Sequence, residues 1–374
     1  MRVEALFREM EQLGIRFYTG VPDSQLKAFC DTLMNRYGVG ERHVIAANEG
    51  AAAGLAAGHY LATGTPAAIY MQNSGIGNAV NPICSLLNDK VYAVPALFII
   101  GWRGEPGVHD EPQHIFQGEI TLELLDCLNV RYFVIEKETS EEDLKAYFSE
   151  IRREFSLGRQ CALVVKKGGL STDVKMEYKN DAVMSREEIV HLIVDNTKED
   201  DIFVSTTGKL SRELFEAREA RGQGHSKDFL TVGSMGHASM IAMGIAREKK
   251  DRRVFCLDGD GAVIMHMGSL AVAGTDGLGN FVHLLVDNGA HETVGGLPTV
   301  GNKLDYPLLA KACGYENIFT AKDKEELLSA LHKLDGIEGS AFIIVKANIG
   351  AREDLGRPTT TPAENKEAFM EFLK

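Results

Sequence analysis

At 374 residues, 44% hydrophobic and 25% charged, the chain has the length of two or three domains and enough apolar material to bury cores. Its net charge of −13, with 40 Lys and Arg against 53 Asp and Glu and no basic run, argues against a nucleic-acid-binding face. The longest apolar runs, such as Val94–Ile100, fall far short of the ~20 residues of a membrane helix. No signal-peptide core follows Met1-Arg2-Val3-Glu4, and six scattered cysteines without a C-x-x-C pair imply reduced thiols and a cytoplasmic setting.

In chain order, the apolar spacing of Val3–Leu13 predicts an opening helix, and Asn48-Glu49-Gly50 heads a small-residue one, AAAGLAAGHYLAT. Short apolar runs at Ala67–Met71, Ala96–Ile100, Tyr132–Ile135 and Ala162–Lys166 read as strands, with the amphipathic helix Glu141–Phe155 before the last. A polar, turn-rich stretch from Gly168 to Asp181 follows, and periodicity resumes at Ser185 with the helix Arg186–Asp195. The second half repeats the alternation through strands Ile202–Ser205, Val254–Leu257, Val282–Val286 and Ala341–Val345. Its helices are HASMIAMGIA after Gly233-Ser234-Met235-Gly236, Met265–Ala273, Lys324–Leu334 and Glu364–Leu373. Such alternation predicts an α/β protein of two doubly wound parallel sheets, covered by helices on both faces. The expected division is residues 1–170, a linker over 171–182, and residues 183–374. The two Ala/Gly-rich helices at corresponding places hint at duplicated domains.

The most informative motif follows the strand Val254–Leu257. Asp258-Gly259-Asp260-Gly261-Ala262 leads into a helix, and the next strand ends in Asp287-Asn288-Gly289-Ala290. Both turns fall at carboxyl ends of parallel strands, where open α/β sheets bind ligands. Gly259 and Gly261 let the backbone approach a phosphate at a helix N-terminus. Asp260 and Asn288 offer hard oxygens that suit Mg²⁺ bridging a diphosphate. Neither a Gly-Lys-Ser/Thr loop nor a G-x-G-x-x-G fingerprint is present, which argues against a P-loop or nicotinamide enzyme.

With these residues the chain resembles the thiamine diphosphate-dependent decarboxylases. Asn48-Glu49-Gly50 resembles their pyrimidine-activating glutamate, Ser74-Gly75-Ile76-Gly77-Asn78 their SGPG loop, and Gly233-Ser234-Met235-Gly236 the loop beneath the cofactor. The central domain of larger members is missing. The compact form, with Thr19–Ser24, Tyr70–Gly75, Gly101–Gly107, Asp110–His114 and Asp354–Pro358, resembles the phosphonopyruvate decarboxylases, and next the sulfopyruvate decarboxylases. The resemblance implies a pyrimidine-binding first domain, a diphosphate-binding second domain, thiamine diphosphate and Mg²⁺. The reaction implied is decarboxylation of 3-phosphonopyruvate to phosphonoacetaldehyde and CO₂ in phosphonate biosynthesis. Sulfopyruvate decarboxylation, or a 2-oxo acid synthase or lyase of the same cofactor family, is the alternative.

On this resemblance Glu49, at an apolar helix start that raises its pKa, would hold a proton at the pyrimidine. Ser74, Gly75, Asn78, Thr207, Gly208, Ser234 and Met235 would contact the cofactor together with Gly259, Asp260, Gly261, Ala262, Asn288 and Ala290. Asp260, Asn288 and the Ala290 carbonyl would hold the metal, and Met235 would prop the cofactor's rings. Asp23 or Ser24, and His109 or His114, are the candidates for proton transfer. The substrate is a small 2-oxo acid with a second anionic group, so a local cationic pocket is expected in this acidic protein. Arg103, Arg352 and Arg357 are its first candidates because guanidinium forks match tetrahedral oxyanions, and Lys27 is a further one. Gly350–Pro358 would be a lid. Relatives share sites between subunits, so a homodimer or larger homo-oligomer is expected, with no membrane or nucleic-acid partner.

Overall fold

Apolar strand runs flanked by amphipathic helices can bury themselves only by stacking side by side under helical cover, and each half of the chain does so. The computed structural model describes all 374 residues, which divide into unit 1, Met1–Glu177, and unit 2, Tyr178–Lys374. Unit 1 holds strands β1 (Tyr18–Gly20), β2 (His43–Ile45), β3 (Ala67–Gln72), β4 (Ala96–Gly101), β5 (Arg131–Ile135) and β6 (Cys161–Val165). They form one parallel sheet in the order β2-β1-β3-β4-β6-β5. The chain runs outward in opposite directions from β1 and β3, so the switch point lies between them. The carboxyl ends of both strands open onto that crevice.

Unit 2 holds β7 (Ile202–Ser205), β8 (Asp228–Leu230), β9 (Val254–Gly259), β10 (Phe281–Asp287), the short hairpin β11 (Ala290–His291) and β12 (Leu297–Pro298), β13 (Asn317–Ala321) and β14 (Ala341–Lys346). Its parallel sheet has the order β13-β14-β10-β9-β7-β8. Alternate residues of its central strands serve opposite cores. Phe255, Leu257, Leu284 and Ile343 pack on one side, and Val254, Cys256, Leu285 and Ile344 on the other.

Six strands escaped the sequence reading, among them the two-residue β11 and β12. β1, β2 and β8 are three residues long, too short for an apolar run to stand out, and β13 is half-exposed along most of its length. One expected helix needs correcting. Met265–Ala273 is two helices, Asp260–Met265 and Gly268–Thr275, because the backbone leaves the helical region at His266 (φ −130°, ψ 49°). That break sets the His266 ring against Gly236 and the His237 ring, 4.4 Å between centroids. No helix is long and apolar enough to cross a membrane.

Candidate active site

In unit 1 the loop after β2 ends at Asn48, whose side chain accepts the Ala51 N–H (2.9 Å) and caps the helix Glu49–Thr63. Glu49 therefore sits in the first helical turn, 5% exposed. Across from it the turn Asn73–Gly75 leaves β3. Gly75 lies so close that a Cβ there would land on the Glu49 carboxylate, and Asn78 Nδ2 donates to Glu49 Oε2 at 2.8 Å. Burial raises the Glu49 pKa, and the one Asn78 hydrogen bond offsets this only in part. Two separate sequence motifs, Asn48–Gly50 and Ser74–Asn78, thus form one protonatable carboxyl site.

A second carboxylate, Asp23, lies fully buried in the turn after β1. It accepts Gln72 Nε2 (2.6 Å) and the Gln25 N–H (2.9 Å), while Ser74 Oγ donates to Gln72 Oε1 (2.8 Å). Burial raises its pKa against the pull of Gln72 and the Arg103 charge. Arg103, in the loop after β4, forks onto Asp110 through Nε (2.7 Å) and Nη2, and its Nη1 donates to Ser24 Oγ at 3.1 Å. Asp110 is held at about 2, since Arg103 and the Gly104 N–H outweigh its desolvation. Asn73 pins the loop by accepting the Arg103 N–H (3.1 Å) and donating to the Arg103 carbonyl (2.9 Å). His114 is buried with Nδ1 unpartnered, and burial with the nearby Arg103 charge lowers it to about 4, so it is neutral near pH 7. His109 is exposed on the same loop, and Lys27 is ion-paired with Asp31 at 2.6 Å.

In unit 2 the loop after β8 passes through positive φ at Gly233 (68°), Ser234 (46°) and Gly236 (86°), which presents Met235 from a strained turn. Thr207 Oγ1, after β7, accepts the Gly233 N–H at 3.1 Å and ties the two loops together. Met235 Cε reaches the glycine turn: a Cβ on Gly261 would lie 3.3 Å from it and 3.0 Å from His291 Nδ1. Asp260, 2% exposed at the end of β9, accepts the Thr299 hydroxyl. Its pKa is pushed up to about 7 by burial, reinforced by the Asp287 charge. Asn288 Oδ1 accepts the Ala290 N–H (3.1 Å), and Asn288 Nδ2 donates to Glu292 (2.9 Å). Glu292 in turn pairs with Arg186 (2.7 Å) and Lys209 (2.9 Å), which fixes the amide's orientation.

These residues fit a divalent cation and a diphosphate. A buried, under-compensated carboxylate and an amide oxygen are hard donors, and Gly259 has open space where a Cβ would stand. The Tyr306 hydroxyl and His291 Nδ1 nearby are buried with no partner in the chain. In unit 1 the Glu49 carboxyl fits a ring nitrogen that takes a proton.

The tail behaves otherwise. Arg352 donates to Glu187 (2.9 Å), Asp354 (2.9 Å) and Glu216, and Arg212 Nε grips the Gly356 carbonyl (2.6 Å). Arg357 is exposed on the same segment. Of the four expected anion binders, Arg103 is the one that lines a cavity in unit 1. Gln72, Asn73, Thr299, His291 and Glu292 were given no role in the sequence analysis, although GAHETVGGLPT after Asn288 carries three glycines, at φ 69°, 119° and 83°, that signal a shaped loop.

Residues 2–125 match the family described as thiamine pyrophosphate enzyme, N-terminal TPP binding domain, and residues 206–345 match its C-terminal TPP binding domain. The chain is 34% identical to a phosphonopyruvate decarboxylase of Streptomyces viridochromogenes, over 96% of this chain and 92% of the relative. It is 31% identical to that of Streptomyces hygroscopicus, over 96% and 91%. A sulfopyruvate decarboxylase subunit beta of Methanocaldococcus jannaschii is 32% identical over 50% of this chain and 97% of its own.

Proposed function

The chain belongs to the thiamine pyrophosphate enzymes, in the phosphonopyruvate decarboxylase family, and on that premise we propose that it converts 3-phosphonopyruvate to phosphonoacetaldehyde and CO₂ with Mg²⁺ as metal. The observation that carries this reading is the Glu49 carboxyl, buried against Gly75 with a raised pKa. When bound, thiamine diphosphate supplies a thiazolium carbon that accepts the electron pair left as CO₂ departs.

The chain's own residues do the rest. Asp260, Asn288 and the Ala290 carbonyl hold the metal, with Gly259, Gly261, Ala262, Thr207, Gly208 and Ser234 around the diphosphate. Met235 orients the rings from its strained loop. Glu49 would keep a proton at the pyrimidine N1′, which the burial that raises its pKa favours. Asp23, buried and linked through Gln72 to Ser74, is the proton-handling carboxyl on the substrate side. Neutral His114 serves as its companion, and Ser24 positions Arg103. As relatives share their sites between subunits, the proposed active form is a homo-oligomer with shared sites. Six free cysteines support a cytoplasmic setting.

A side-by-side assay of phosphonopyruvate, sulfopyruvate and pyruvate tests the proposal. Phosphonopyruvate is expected to give the highest kcat/KM, and a higher value for sulfopyruvate would transfer the assignment to that substrate.

A further inference from the structure

The loops after β1, β4 and β6 of unit 1 converge on a cavity of about 230 Å³, lined by Ser24, Arg103, Glu105, His109, Asp110 and Lys167 among others. Most of this polar lining is already satisfied. Arg103 is committed to Asp110 and to the Ser24 hydroxyl. Glu105 is matched by Lys166 at 2.9 Å, and the same lysine also pairs with Glu136 at 3.0 Å. Arg103 is thus spent on Asp110, and Lys166 on Glu105 and Glu136. Lys167 makes no hydrogen bond or ion pair within the chain, so it is the cavity's one uncommitted cation.

An uncommitted cation stands out in a protein of net charge −13. Lys27 is spent on Asp31, and Arg352 on Glu187, Glu216 and Asp354. An anion entering beside Lys167 displaces no internal partner, whereas one seeking Arg352 must break three ion pairs. The Ser24 hydroxyl and the remaining N–H groups of the Arg103 guanidinium add donors to the same lining. The ammonium supplies a mobile point charge. The cavity adjoins the turn that carries Asp23, whose carboxylate would clash with any side chain at Gly101, the last residue of β4.

We infer that this cavity is the subsite for a tetrahedral oxyanion, and that Lys167 is the residue setting preference for a substrate with a second anionic group. The inference rests on the proposed decarboxylation of phosphonopyruvate for the identity of the natural ligand. It does not need that reading for the anion site itself.

The experiment separates the two. The full-length protein, without added cofactor, is titrated with methylphosphonate and followed by ³¹P NMR and calorimetry. Wild type is expected to bind. Lys167→Ala should bind about tenfold to a hundredfold more weakly, as expected for loss of a charged hydrogen-bond partner, and Lys167→Arg should retain most of the affinity. Lys145→Ala, exposed on the helix Glu141–Ser156, controls for net charge and should bind as wild type does. In turnover, Lys167→Ala should raise KM for phosphonopyruvate by a similar factor with little change in kcat, and raise it less for pyruvate. Unchanged methylphosphonate binding by Lys167→Ala, or equal KM increases for both substrates, overturns the subsite. Methylphosphonate binding through Lys167 without turnover of any 2-oxo acid would instead overturn the proposed function and leave the subsite standing.

Discussion

Strand for strand the two units have the same topology, yet the loops at equivalent strand ends carry different chemistry. Unit 1 runs β2-β1-β3-β4-β6-β5, and unit 2, read from its β8 edge, runs β8-β7-β9-β10-β14-β13. The loop after β2 delivers Glu49, and its counterpart after β8 delivers Met235. The turn after β3 is Asn73-Ser74-Gly75, pressed on a carboxyl, while that after β9 is Asp260-Gly261, pressed on an imidazole. The loop after β4 carries a cation, Arg103, while β10 ends on Asp287 and the loop after it opens with Asn288, both oxygen donors. On the proposed reading, one repeated scaffold offers a proton-holding half and a cation-holding half. The comparison teaches that the division of labour lies in these six loops and not in the sheets.

The sharpest way to break that division is to exchange its two acids for neutral side chains. Glu49→Gln should lower kcat by about 10²–10⁴-fold, the range for a lost acid–base contribution, with thiamine diphosphate affinity nearly unchanged by calorimetry. Asp260→Ala should do the reverse, abolishing Mg²⁺-dependent cofactor retention, as dialysis against EDTA should in wild type. If Glu49→Gln lost the cofactor and Asp260→Ala kept it, the assignment of roles to the two units would be wrong.

Next in size is an effect one step behind the metal. Glu292 fixes the Asn288 amide at 2.9 Å and is itself pinned by Arg186 and Lys209. Groups that orient metal ligands are typically worth about 10–100-fold in metal affinity. Glu292→Gln should therefore weaken Mg²⁺ activation by that factor while leaving kcat at saturating Mg²⁺ close to wild type. An unchanged Mg²⁺ titration would remove Glu292 from the metal's support.

The sequence made the scaffold and the turns proposed for the cofactor legible because both rest on local patterns. Apolar runs such as Ala96–Ile100 and the Asp258–Ala262 turn announce themselves without knowledge of any neighbour. What stayed hidden depends on partners far along the chain. Gln72 matters because it meets Asp23, 49 residues away, and Asn73 because it clasps Arg103, 30 residues away. The same reason separates Arg103 from Arg352: both are arginines in distinctive motifs, and only the folded chain reveals which one is committed to three carboxylates.

A smaller effect distinguishes the halves through stability. Burial raises the Glu49 pKa above its usual 4.5, so the folded state binds more protons than the unfolded one above that pH. Folding stability from this group is then complete below pH 4.5 and declines as pH rises through the elevated value. Glu49→Gln should consequently raise the Tm of the cofactor-free protein at pH 8, with the gain shrinking steadily toward pH 5. A gain of 1 kcal/mol would read as roughly 2–4 °C in a unit of this size. A Tm difference independent of pH would mean that Glu49 is not strained by its burial.

The smallest expected effect decides whether the tail belongs to the catalytic comparison at all. As a lid, Gly350–Pro358 would need to release Arg352 when substrate arrives. In the structure Arg352 instead bridges Glu187, Glu216 and Asp354, and Glu216 also accepts the Gly356 N–H. The segment is thereby bound to the helices Arg186–Asp195 and Lys209–Glu219, and release would leave three carboxylates without their cation. Against this, the Arg352 side chain is 42% exposed, and exposed ion pairs contribute only about 0–1 kcal/mol each. Arg352→Ala should therefore lower the Tm slightly and leave KM for phosphonopyruvate within about twofold, since by that account no substrate contact is lost. A tenfold rise in KM, with the Tm unchanged, would restore the tail as an anion-binding lid and place it beside Arg103 in reading the substrate.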